Sequence, residues 1–68
     1  MDVSYELRRM SLIWILNRRI ENHPDPKRLV HIRTALLNEV SEKPTLAFIS
    51  GCKLTGHTEL LEESHEAK

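Results

Sequence analysis

Cys52 and His57 are the one pair in this sequence that could be written as a nucleophile and its base, a thiol activated by a nearby imidazole. That chemistry also needs a third group to orient the imidazole and a pocket to hold a substrate. Here the orienting group is missing, the pair sits in a glycine-containing turn, and so small a core offers little pocket. Cys52 reads instead as a small residue that packs. The four histidines, His23, His31, His57 and His65, are scattered along the chain, and His31 falls on the polar side of its helix. No spacing among them suits a metal. The expectation is a protein that is not an enzyme, with no catalytic residue, cofactor or metal ion, whose function is non-covalent.

Binding chemistry is better represented. Arg8, Arg18 and Arg19 lie on an arc of about 100° of a first helix, close to Ser4, Ser11 and Asn22. Such a strip of guanidinium forks suits phosphate or carboxylate, on a structured RNA or on an acidic protein surface. The competing account is that the arginine stems cover the border of an interface and pair with glutamates there. Net charge is zero but unevenly spread: residues 1 to 33 carry seven bases against four acids, and residues 34 to 68 carry three bases against six acids. A basic half of this kind serves nucleic acid, an acidic partner or the acidic half of a second copy, or is simply a solvated face.

The element that must position those arginines is itself unusual. Leu12, Ile13, Trp14, Ile15 and Leu16 put five apolar side chains in a row, and at about 100° per residue they go round a whole helix. The surrounding residues sort into two stripes roughly 140° apart. Val3, Leu7, Met10 and Trp14 form one; Tyr5, Leu12, Ile13, Leu16 and Ile20 form the other. One side can meet the rest of the chain, and the other calls for a second chain or a partner. Val3, Leu7, Met10, Leu12, Trp14, Ile15 and Leu16 are therefore the candidate partner or dimer interface, with the stripe that faces outward left open.

This first helix is expected over about residues 4–22, stopped by His23-Pro24-Asp25-Pro26. Asp25 as N-cap and Pro26 in the first turn start a second helix over about 26–42, with Leu29, Ile32, Leu36 and Val40 as its single stripe. A short link between two helices of similar length implies an antiparallel hairpin. Residues 45–50 form a third, short helix in preference to a strand, with Gly51 as its left-handed C-cap. A last short helix over about 58–65 ends in a frayed C-terminus.

The segment Thr45-Leu46-Ala47-Phe48-Ile49-Ser50-Gly51-Cys52, with Leu54, Thr55 and Leu60 beyond it, resembles the helix-turn-helix of bacterial and phage repressors. The resemblance covers about 17 residues; Ala47 matches the alanine that faces the second helix, and Gly51 the glycine of the turn. It implies that Thr55, His57 and Thr58 begin a helix facing DNA. His57 departs from the pattern, standing where that family buries an aliphatic residue. Glu59, Glu62 and Glu63 give the would-be reading helix the wrong charge for phosphate.

Sixty-eight residues bury a thin core. One cysteine allows no internal disulfide, so oligomerisation is the usual remaining remedy. The apolar run of five is too short for a membrane span or the hydrophobic region of a signal peptide. The expectation is a small cytoplasmic all-α protein with no membrane contact, a helical hairpin followed by one or two short helices and assembled as a homodimer. It regulates a larger protein by binding it through an apolar stripe bordered by arginines. The alternative is a dimeric nucleic-acid-binding regulator using residues 45–61 or the arginine strip.

Overall fold

Proline placement and glycine placement between them set where the chain turns. A computed structural model describes residues 4–40 and 43–61, and these form helices α1 (Ser4–Asn22), α2 (Lys27–Asn38) and α3 (Leu46–Thr55), followed by a 3-10 turn over Thr58–Leu61. Among the described residues there is no strand. α1 stops just before His23-Pro24, and Asn22 Nδ2 bonds the Arg18 carbonyl at 3.1 Å as the helix closes.

α2 begins differently from expectation. Its N-cap is Pro26, and no side chain caps it. Asp25 does not serve as the cap, standing one residue too early for it, and its backbone N–H donates to His23 Nδ1 at 3.1 Å within the turn. The helix then ends at Asn38, four residues before the expected stop. Glu39 is extended (φ −78°, ψ 153°), and its carboxylate accepts the hydroxyls of Tyr5 from α1 and Thr45 from the α3 cap. Thr45 also caps α3, its Oγ1 accepting the Phe48 N–H at 3.3 Å.

α3 does not end at its first glycine. Gly51 was expected to end a helix over residues 45–50, yet α3 runs through it to Thr55. The left-handed C-cap is Gly56, at φ +77°, and the His57 N–H closes the end on the Cys52 carbonyl at 2.9 Å. Gly51 has a packing role: a Cβ there would stand 2.9 Å from Leu12 Cδ2 and 3.1 Å from Ile32 Cγ2. Its missing side chain lets α3 approach α1 and α2 together.

The core lies where the three helices meet. Leu12, Leu16, Leu36, Phe48 and Cys52 are fully buried, with Tyr5, Leu29 and Ile32 nearly so. Tyr5 meets Phe48 edge to face, ring centroids 5.0 Å apart. The result is a compact all-α bundle with a Cα radius of gyration of 12.0 Å. The final helix expected over 58–65 is represented by the 3-10 turn alone among the described residues, and its frayed end lies outside them.

Candidate interaction surface on the first helix

α1 carries two apolar stripes, and the rest of the chain covers one. Tyr5, Leu12 and Leu16 face inward, flanked by the partly buried Ile13 and Ile20. Leu7, Met10 and Trp14 face outward and remain 60%, 57% and 61% exposed. Such large apolar side chains in one line on a single helix form a contiguous uncovered stripe. The Arg18 guanidinium lies over the Trp14 ring, 5.1 Å from its centroid, and extends the stripe by a turn with a cation.

Two of the expected interface residues belong elsewhere. Leu12 and Leu16 have no exposed surface and are held by α2 and α3, so they build this chain's own core. Ile15 is half-buried between the stripes, and Val3 lies outside the described residues.

The arginine strip is likewise divided. Arg8 Nη1 donates to the Leu60 carbonyl at 2.8 Å, and its guanidinium sits 5.9 Å from the Tyr5 ring centroid and 5.8 Å from that of Phe48. It fastens the 3-10 turn to α1. Arg19 Nη2 donates to the Thr55 carbonyl at 3.0 Å, at the C-terminal end of α3 where an unsatisfied helix carbonyl takes a cation well. Only Arg18 of the three is committed to the outer stripe. Neighbours on either flank thus use the three side chains differently.

The residues of the DNA-facing alternative do not come together. Thr55 is buried, and its hydroxyl donates to the Gly51 carbonyl at 2.8 Å. His57 Nδ1 lies 3.1 Å from a Glu59 carboxylate oxygen, and that contact holds the Glu59 carboxyl below its ordinary pKa. Thr58 is exposed at the start of the 3-10 turn. With Gly51 inside a helix, the turn that the repressor resemblance requires is absent from its place.

Cys52 is fully buried, and burial pushes its thiol up to about 11. His57 reaches it through a backbone hydrogen bond while its ring turns to Glu59. Among the described residues no three of His, Cys, Asp and Glu are grouped to hold a metal ion. No helix among them is long and apolar enough to cross a membrane.

A feature not anticipated from sequence is the polar cluster at the Glu39 end of the bundle. Besides the two hydroxyls, Glu39 faces Arg9 Nη1 at 3.7 Å, and the Arg9 guanidinium lies 5.7 Å from the Tyr5 ring centroid. Burial, then the bond to Glu39, raises the Tyr5 hydroxyl above its usual pKa, which keeps it a donor. The sequence signal was weak: a tyrosine on the core stripe needs a partner for its hydroxyl. Comparison with protein-family models, curated proteins and solved structures finds no match to this chain.

Proposed function

We propose that this chain is a small regulatory protein that binds a larger protein through the outer stripe of α1. The carrying observation is that Leu7, Met10 and Trp14 stay exposed on one line of a helix whose other apolar line buries Tyr5, Leu12 and Leu16. A helix presenting apolar anchors at i, i+3 and i+7 suits a hydrophobic groove, and Trp14 is of the residue type most enriched among energetic anchors. Arg18 beside the ring supplies a polar border.

Behind that face, the antiparallel pairing of α1 and α2 is supported by Tyr5 meeting Glu39 near one end and Asn17 Oδ1 accepting from Arg33 Nη1 at 2.7 Å nearer the other. It gives the stripe a rigid backing. Without a partner, the same stripe pairs two copies as a homodimer, since a thin core of this size gains from oligomerisation.

A photo-crosslinking side chain at Met10 tests this in the native host. The expected result is one larger protein joined at Met10, and no product from the same group at Thr34 on α2. Purified wild-type chain should self-associate with rising concentration in light scattering, and Trp14→Arg should be monomeric. A wild-type monomer at all concentrations, with no crosslink at Met10, removes the reading.

A further inference from the structure

We infer that the cavity at the α1–α2 turn is a binding site for a phosphate group carried by a small molecule. It encloses about 270 Å³ and shares no residue with Leu7, Met10 and Trp14, so it stands apart from the docking role of α1.

Charge carries the inference first. Arg19 at the end of α1 and Lys27 and Arg28 in the first turn of α2 line the cavity, and among the described residues Asp25 is the single acid on its wall. Three permanent cations against one carboxylate leave an excess that a phosphate dianion neutralises and a monocarboxylate does not. Basic residues from two helices are brought to one concave place, where low-dielectric walls concentrate their field.

Geometry then selects the ligand class. Arg19 is held in position, because one arm of its guanidinium is already bonded to the Thr55 carbonyl, and its other N–H groups need not be ordered when a ligand arrives. His23 accepts the Asp25 N–H at Nδ1, which leaves Nε2 as the ring nitrogen able to donate to a ligand. The start of α2 adds to this. No side chain caps it, and Val30 is the first amide to donate back, to the Pro26 carbonyl at 2.8 Å. The amides of Lys27, Arg28 and Leu29 therefore have no acceptor within the helix.

The cavity is larger than a phosphate group alone, and Leu54 from α3 gives it an apolar wall. That combination suits a phosphate monoester with a compact organic remainder. A nucleic-acid backbone instead follows an extended basic track.

Amide and methyl NMR spectra of the full chain, titrated separately with inorganic phosphate and phenyl phosphate at constant ionic strength, test the proposal. Both ligands are expected to give saturable shifts at Lys27, Arg28 and Leu29. Phenyl phosphate should also move the Leu54 methyls and bind more tightly. Lys27→Gln and Arg28→Gln, both at exposed positions, should each weaken phenyl phosphate about tenfold, while Lys53→Gln outside the cavity leaves it unchanged. The proposal is overturned by shifts that never saturate or that chloride reproduces. It is equally overturned if both glutamine variants bind as wild type, or if phenyl phosphate is no tighter and spares Leu54. Tighter binding of a mixed-sequence oligonucleotide at these amides, growing with its length, would make the site a nucleic-acid contact and refute a small-molecule one.

Discussion

The two faces of α1 are made of similar residues and differ in what meets them. Inward, Leu12 and Leu16 lose all their exposed surface to α2 and α3; outward, Leu7, Met10 and Trp14 keep more than half of theirs. Composition alone does not separate a core leucine from a surface one. On the covered side Gly51 matters, because its bare Cα leaves room for α3 to lie close over Leu12 and Ile32.

Substitutions that attack the covered face should have the largest effects. Leu12→Ala is expected to lower stability by about 2 to 5 kcal/mol, enough to unfold much of so small a domain, as read by urea denaturation. Gly51→Ala comes next: its Cβ would crowd the ends of the buried Leu12 and Ile32 side chains, which must shift within a packed core, at a cost of about 1 to 3 kcal/mol. If Gly51→Ala is as stable as wild type, α3 does not pack against Leu12 and Ile32 as closely as described.

Glu39→Gln sharpens the comparison from the edge of the core. It removes the charge that receives the Tyr5 and Thr45 hydroxyls and faces Arg9, and is expected to destabilise by about 1 to 2 kcal/mol in thermal unfolding. The uncovered face should respond least. Trp14→Ala should change stability by no more than about 0.5 to 1 kcal/mol, from the lost Arg18 contact, while abolishing self-association. A large loss of stability in Trp14→Ala would mean that the outer stripe belongs to the core after all.

Cys52 offers an independent check. With its thiol fully buried and pushed up to about 11, a disulfide reagent at neutral pH should modify it only as fast as the bundle opens. Rapid modification of the folded chain would contradict the tight α3 packing.

Helical character was legible because apolar residues recur at helical spacing and prolines punctuate the chain. The end of α1 at Asn22 follows from His23-Pro24 by local sterics. What was not legible depends on contacts distant in sequence. Gly51 satisfies the same local rule as Gly56, and only the presence of Leu12 and Ile32 above it shows that one is a spacer and the other a cap. The two stripes could be seen in sequence, but not which would be covered. Arg8 and Arg19 looked like surface charges because their acceptors, the Leu60 and Thr55 carbonyls, are backbone groups that no side-chain pattern advertises.

The position of Trp14 has a practical consequence. As the single tryptophan, it dominates the intrinsic fluorescence of the chain, and it stands in solvent beneath a guanidinium. Its emission should therefore change little when the bundle melts, since the ring is wet before and after. It should shift to shorter wavelength when another surface covers it. The protein carries its own optical reporter of occupancy, one almost blind to folding.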